Sequence, residues 1–404
     1  MSQGFHEIEF SKMWHVVPVT TMNFEECKDC GFKCEKVCPV ARATGKFYIT
    51  DFLQKYLLEQ KSVSWPCTGC HSCDEVCPAE FSPRQLIQQS HQGYLRKREN
   101  ILSDYYTEYL EYRRIGVSRI DSDSLEKLRV KNRLEERFRD WDTIVFYPGC
   151  LISAQYPGIA LKIVELLMAL GVDQDKIVIH DELCCGSFLP HVSDEEFKNN
   201  GAYLFDELVK DDKRTLLVTA CGSCTNTLRV TRERLVNSDK INSTGKLDDH
   251  NLKIMHYLDI FFSDDNFDAL LSLMEPKGAG GKCYIQYPCQ AETDITKRKM
   301  KKKKIREFLE RLGYIVPNMK SDLGCCGASM LETHPDFALE FGIKRILNIS
   351  KNGGSRVDDI LIGCGNCYRI YNDFKPSMEV MADYMEDIEP NVQFLVDILI
   401  QNLG

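Results

Sequence analysis

The residues able to do chemistry in this chain are its cysteines, and 18 of the 19 fall into groups. Two runs, Cys27-x2-Cys30-x3-Cys34-x3-Cys38-Pro39 and Cys67-x2-Cys70-x2-Cys73-x3-Cys77-Pro78, share one spacing, the first with an extra residue in its middle step. Closely spaced cysteines let one loop hold three corners of a cubane, while the cysteine before the proline reaches across to the neighbouring cluster. The spacing therefore predicts one [4Fe-4S] cluster on Cys27, Cys30, Cys34 and Cys77, and a second on Cys67, Cys70, Cys73 and Cys38. Zinc is the competing use of CxxC pairs, since four thiolates also make a tetrahedral site. A run of four cysteines closing on proline favours iron.

Ten further cysteines form two matched sets of five. Cys150, the pair Cys184-Cys185-Gly186 and Cys221-Gly222-Ser223-Cys224 make the first; Cys289, Cys325-Cys326-Gly327 and Cys364-Gly365-Asn366-Cys367 make the second. The gaps are 33 and 35 residues in one set and 35 and 37 in the other, a repeat that points to duplication. Two adjacent cysteines cannot both face the corners of an ordinary cubane without strain, so each set predicts a larger, non-standard cluster. The glycine after each pair lets the backbone come close. The remaining cysteine, Cys283, lies six residues before Cys289 and reads as a buried structural thiol.

Loops of this kind need rigid elements to hold them. Thr143 to Pro148 and Leu216 to Ala220 read as short strands that deliver Cys150 and Cys221 at their carboxyl ends, with a helix from Ile159 to Leu170 ending at Gly171. The order returns as Cys283 to Pro288 before Cys289, a helix from Ile305 to Leu312 ending at Gly313, and Ile360 to Gly363 before Cys364. Strands alternating with helices predict duplicated α/β domains with sites at the carboxyl ends of strands. Ahead of them, Phe52, Leu53, Tyr56 and Leu57 predict helix between the two cubane motifs. The expected fold class is multidomain α+β and α/β. An α-helical two-cluster domain spans 1–95, a charged helical connector marked by Leu125, Leu128, Leu134 and Phe138 spans 96–142, and α/β domains span 143–275 and 276–404.

The chain has 404 residues, 43% of them hydrophobic, enough for two or three domains with real cores. Its start, Met1-Ser2-Gln3-Gly4-Phe5-His6-Glu7, lacks the charged and apolar regions of a secretory signal, so the thiols are read as reduced and the protein as cytoplasmic. The longest apolar stretch, around Ile163 to Val172, falls short of the roughly 18 residues a spanning helix needs, so membrane contact is expected only through a partner. A net charge of −9 disfavours nucleic acid. The run Lys297-Arg298-Lys299-Met300-Lys301-Lys302-Lys303-Lys304 with Arg306 goes the other way, and could steer an anionic ligand or stand as a solvated helix face. His180, His191, His256 and His334 have no metal-type partner at i+3 or i+4 and read as surface or satisfied core. No GxGxxG follows a strand and no P-loop occurs, so flavin, nicotinamide and nucleotide are not expected here.

Each set of five resembles the CCG domain, named for its Cys-Cys-Gly motif, and the cubane motifs resemble the α-helical variant of the two-cluster ferredoxin. Over Glu25 to Leu403 the order resembles the heterodisulfide reductase family in the form of its D subunit, in which the family's separate C and B subunits are fused. The resemblance implies a noncubane [4Fe-4S] cluster on Cys150, Cys184, Cys185, Cys221 and Cys224 and another on Cys289, Cys325, Cys326, Cys364 and Cys367, the two facing each other across the substrate. It implies reduction of the mixed disulfide of coenzyme M and coenzyme B. Electrons would arrive through the two cubane clusters from a donor protein, either a membrane cytochrome b or a flavoprotein and hydrogenase complex. The iron-sulfur subunits of anaerobic glycerol-3-phosphate dehydrogenase and glycolate oxidase share this domain order, which leaves open a non-catalytic conduit toward quinone. Family members carry histidines around the lone cysteine of the second CCG domain. Here Gln286 and Gln290 flank Tyr287-Pro288-Cys289, and glutamine hydrogen-bonds without acting as an acid near neutral pH. Tyr147 and Tyr287 occupy matching places in the repeats and read as packing.

Overall fold

The structure, a computed structural model, describes residues 27, 29–59, 61, 63–70, 72–78, 82–96, 120, 128, 130, 132–181, 183–191, 194–210, 213–236, 246–276, 280–318, 324–331, 334–351, 357–375, 378 and 390–404. Its N-terminal part is helical. Helices α1 (Lys33–Val37), α2 (Pro39–Thr44), α3 (Ile49–Leu53, continued by a π turn over Gln54–Leu58), α4 (Ser72–Val76) and α5 (Pro83–Arg96) enclose Phe52, Leu53, Trp65, Leu86 and Ile87. Proline opens α2, where its missing N–H removes no helical bond. Asp74 of α4 accepts from Ser82 and Arg84, tying that helix to the start of α5.

The first α/β unit runs β1 (Thr143–Tyr147), α6 (Cys150–Gln155), α7 (Pro157–Ala169), β2 (Ile177–Ile179), α8 (Asp194–Leu208), β3 (Thr215–Thr219), α9 (Gly222–Val236), β4 (Leu252–His256), α10 (Tyr257–Phe261) and α11 (Asp264–Ser272). Its sheet is wholly parallel in the order β2-β1-β3-β4. All five residues of β3 are buried, as the unbroken apolar run Leu216-Leu217-Val218 requires of a strand covered on both faces. The second unit runs β5 (Cys283–Gln286), α12 (Ile295–Arg311), α13 (Pro335–Lys351), β6 (Asp359–Ile362), α14 (Gly365–Tyr368, continued by a π turn over Arg369–Asp373), β7 (Asn391–Phe394) and α15 (Leu395–Gln401). Its strands are parallel in the order β5-β6-β7. These answer to β1, β3 and β4, and the counterpart of β2 has shrunk to one parallel bridge between Lys282 and Ile315.

The units share one core. Helix α15 returns to α7, where Asp397 pairs with Lys162 and Leu395, Val396 and Leu399 join Leu166 and Leu167 in a single apolar cluster. The expected helical connector is corrected: residues 132–142 form no helix, and Leu134 and Phe138 instead pack irregular backbone onto this core. Tertiary burial there overrides a spacing that suited a helix. Leu125 and most of 96–131 lie outside the described residues. Among the described residues no helix is long and apolar enough to cross a membrane.

Candidate functional site

The cysteines of the two cubane motifs sort into two groups. Burial pushes the Cys34 thiol up to about 12, with Glu35, Cys30, Cys27 and Cys77 adding to the shift. Burial likewise pushes Cys38 and Cys67 up to about 12; Cys70 and Cys38 stand by Cys67, Cys67, Cys70 and Cys38 stand by Cys73, and Cys38 has Cys70 and also Cys325 of the second set beside it. Cys27, Cys30, Cys34 and Cys77 thus stand together, and Cys38 stands with the other run. Thiols held so high are protonated at neutral pH, so metal binding here must release protons.

The ten later cysteines come together through the strand ends. Cys150 follows β1 and Cys221 follows β3, while Cys289 follows β5 and Cys364 follows β6. In the first unit hydrogen bonds between thiols link Cys150 to Cys184, Cys184 to Cys185, Cys185 to Cys224 and Cys224 to Cys221. In the second, Cys289 lies 3.9 Å from Cys325, and the contacts continue through Cys326 and Cys367 to Cys364. Each adjacent pair divides its sulfurs between different partners. The following glycines, Gly186 and Gly327, take φ of +69° and +88°, the left-handed region that a side chain resists.

One contact joins the two sets: Cys221 Sγ and Cys364 Sγ are 3.8 Å apart. Across the same seam Asn366 of α14 donates to Ser223 of α9 at 3.1 Å. Charge is shared unevenly among these thiols. Hydrogen bonds from Cys184 and Cys224 hold Cys185 down to about 5, and Cys224 and Cys364 lower Cys221 in the same way. Its partner Cys364 is pushed up to about 12 by Cys221. Nine of the ten are buried and Cys150 is half-buried.

A second contact joins this assembly to the helical domain. Cys70, Cys289 and Cys325 pack together, Gln290 donates to the Thr68 carbonyl at 3.3 Å, and Arg298 donates to the Cys70 carbonyl at 3.3 Å. Val40 of α2 sits among Met330, Ala338 and Phe341. The four sulfur groups therefore stand in series: the Cys27 group, the Cys38 group, the second set of five, then the first. Buried, grouped thiols are the donors that iron-sulfur clusters use.

The other candidates fall into place around this frame. The Tyr147 hydroxyl donates to the Leu183 carbonyl and the Tyr287 hydroxyl to Asp259, each at 2.6 Å, so both tyrosines brace loops. Gln286 accepts from Arg345 and donates to the Gly324 carbonyl, holding the turn before Cys325. Cys283 is fully buried on β5 and has Asp359 and Asp358 as its charged neighbours rather than another thiol. His334 meets Ser64 at 3.2 Å, the backbone of His180 bonds Phe146, and the side chain of His191 lies outside the described residues.

His256 departs from the expected satisfied core. It ends β4 fully buried, and the Leu258 N–H donates to its Nδ1 at 3.3 Å, which leaves the proton on Nε2. Among the described residues that Nε2 finds no acceptor, and neither does the neighbouring Tyr257 hydroxyl. Burial holds the His256 imidazole down to about 4 against the pull of Asp259 and Cys364. The signal available in the sequence was its place at the end of a strand-like run, where β1, β3, β5 and β6 deliver cysteines.

The chain matches the 4Fe-4S dicluster domain over residues 23–81 and the cysteine-rich domain CCG over 144–229 and 283–370. It is 22% identical over 231 residues to the B subunit of fumarate reductase (CoM/CoB) of Methanothermobacter marburgensis, covering 52% of this chain and 44% of that protein. It is 22% identical over 234 residues to an Archaeoglobus profundus protein described as like the B subunit of heterodisulfide reductase, covering 54% of this chain and 77% of that one. The chain thus spans less than half the length of the fumarate reductase relative. In fold it is similar to the crystal structure of a hypothetical protein from Helicobacter pylori, with a TM-score of 0.54, 12% identity, and coverage of 96% of this chain and 74% of that one.

Proposed function

We infer that this chain, an iron-sulfur protein built from a 4Fe-4S dicluster domain and two cysteine-rich CCG domains, works as the catalytic subunit of a disulfide reductase of the heterodisulfide reductase type. The observation that carries the reading is the 3.8 Å contact of Cys221 with Cys364, which makes two five-cysteine sets into one buried site. A conduit needs sulfur groups only in series. Two matched sets meeting face to face suit a substrate held by both of its halves. That substrate would be the mixed disulfide of coenzyme M and coenzyme B, or a related disulfide, and the relative whose name carries CoM/CoB supports this thiol pair.

Cys27, Cys30, Cys34 and Cys77, with Cys38, Cys67, Cys70 and Cys73, would hold two cubanes, and the two sets of five would hold two noncubane clusters. Bound clusters supply one-electron transfer and iron that accepts sulfur. The reaction takes up two electrons and two protons, breaks one sulfur-sulfur bond and leaves two thiols. The chain's own part is to exclude water around nine buried cysteines. Burial keeps the His256 imidazole neutral at neutral pH with Cys364 among its neighbours, and the protons come from solvent. Electrons would come from a partner protein, a cytochrome b or a flavoprotein and hydrogenase complex.

The serial order of the sulfur groups also favours a second reading, the conduit subunit of a quinone-linked dehydrogenase. The two separate on one assay. Anaerobic protein carrying about 16 irons per chain, given reduced viologen, is expected to cleave the coenzyme M and coenzyme B disulfide. A fully loaded preparation without turnover on this or a related disulfide sinks the reductase reading and leaves the conduit.

A further inference from the structure

We propose that the seam between the helical domain and the second α/β unit contains an oxyanion site, one that takes a phosphate- or sulfate-type group. A cavity of about 200 Å³ opens there, lined by Arg42 of α2, Ser72 of α4, Tyr284 of β5 and Arg298, Lys299 and Lys302 of α12. Four of these six side chains are cationic, and among the described residues no carboxylate lines the cavity.

The basic run of α12 is sorted by helical geometry. Lys297 pairs with Asp294, Lys301 with Asp259 and Glu292, and Lys304 with Asp264, all away from the cavity. Arg298, Lys299 and Lys302, at neighbouring positions one turn apart, form the face that points into it. The Arg298 guanidinium donates to the carbonyls of Glu292, Thr293 and Cys70, which fix its position and leave its charge uncompensated. Lys302 donates to the Tyr284 hydroxyl at 3.1 Å and stands 4.2 Å from the centre of its ring. Behind that ring the fully buried Arg345 donates to the same hydroxyl, so a fifth cation backs the wall. Arg42 and Lys299 are exposed, and among the described residues neither makes a side-chain hydrogen bond or ion pair.

Like charges gathered at a partly desolvated seam repel more strongly than they do in water. An oxyanion reverses the sign of that term and accepts charge-assisted hydrogen bonds from the same groups. At about 30 Å³ per water the cavity has room for about seven, enough for a tetrahedral anion with a few waters. It is smaller than the roughly 300 Å³ at which pockets for drug-sized ligands begin. The ligand is therefore a free inorganic anion or the head group of a larger molecule whose body stays outside. The site lies beside the junction of the sulfur groups: Gly324 at its edge precedes Cys325, and Ser72 accepts from the Cys70 thiol at 3.4 Å. A bound anion would add negative charge where electrons pass from one domain to the other.

The test is calorimetric titration of the anaerobic, cluster-loaded protein at low ionic strength in a chloride buffer, with inorganic phosphate in one arm and methyl phosphate in the other. Saturable binding of one anion per chain is expected. The Arg42→Gln/Lys299→Gln double variant, which removes two exposed cations and no internal contact, is expected to weaken it about 10- to 100-fold. Lys297→Gln, on the far side of the helix, is expected to change it less than about 2-fold. Iron content and circular dichroism of the variants check that the fold is intact. Binding of phosphate alone supports a free-anion site, and methyl phosphate binding as tightly supports a head-group site. Absence of saturable binding in both arms, or equal weakening by Lys297→Gln, overturns the proposal.

Discussion

At the scale of single residues, the adjacent cysteines separate the two jobs that sulfur does here. Cys326 touches Cys325 and Cys367, both within its own set of five; Cys325 in turn meets the Cys38 group through Cys70. Cys326→Ser is expected to abolish disulfide turnover and remove about four irons per chain, while the paramagnetic signals of the reduced cubanes survive. Iron analysis and electron paramagnetic resonance on the same sample read both. Loss of the cubane signals as well would mean that the sets are not independent. His256 gives a pH prediction. Its folded value of about 4 lies below the usual 6.5, so its neutral form favours the folded state above about pH 6.5, and that contribution is lost as pH falls toward 4. Between pH 7 and pH 5 the linkage is worth about 2 kcal/mol. Denaturant midpoints at the two pH values should therefore fall less in His256→Phe than in the parent. An equal fall would place the acid sensitivity elsewhere.

At the scale of elements, the glycine after each cysteine pair sets the loop. Gly327 at φ +88° would bring a Cβ within 2.7 Å of Phe341 Cδ1, whereas Gly45 at φ +61° has open space around it. Gly45→Ala carries backbone strain alone, about 1 kcal/mol; Gly327→Ala adds a clash and is expected to cost about 2–3 kcal/mol. The melting temperatures of the two variants should differ in that order, and Gly327→Ala should also lose iron. Much of this level was legible in the sequence, because a strand emptying into a cysteine loop is a local pattern: β1, β3, β5 and β6 all precede cysteines that the motifs had marked. The grouping of Cys38 with Cys67, Cys70 and Cys73 was legible too, since it follows from spacing. β2, β4 and β7 deliver no cysteine and carried no such mark. The irregular segment holding Leu134 and Phe138 went wrong because apolar spacing records burial without recording which backbone achieves it.

At the scale of the whole molecule, the order of the sulfur groups is a tertiary fact that no spacing contains. Nothing in the sequence ranks the two sets of five, yet among the described residues it is the second set that packs a cysteine of the helical domain, Cys70 against Cys289 and Cys325, while the first unit meets that domain through Gln92, which donates to the Pro190 carbonyl. Beside the Gln290, Arg298 and Cys70 contacts, the docking includes a small apolar seam in which Val40 is 1% exposed among Met330, Ala338 and Phe341. Val40 takes no part in the cluster of Phe52, Trp65 and Leu86 that holds the helical domain together. Val40→Asp would place an unpaired carboxylate in that seam, at a cost of several kcal/mol that undocking relieves. The expected protein keeps about 16 irons per chain and all of its signals in the reduced state, yet loses disulfide turnover at least about 100-fold with a protein donor, because the sulfur series is cut between its second and third groups. Thiol titration of the released surface should find Cys289 and Cys325 newly reactive in the metal-free chain. If turnover survives with the seam open, electrons reach the ten-cysteine site without passing through the helical domain, and the serial order has no part in the reaction.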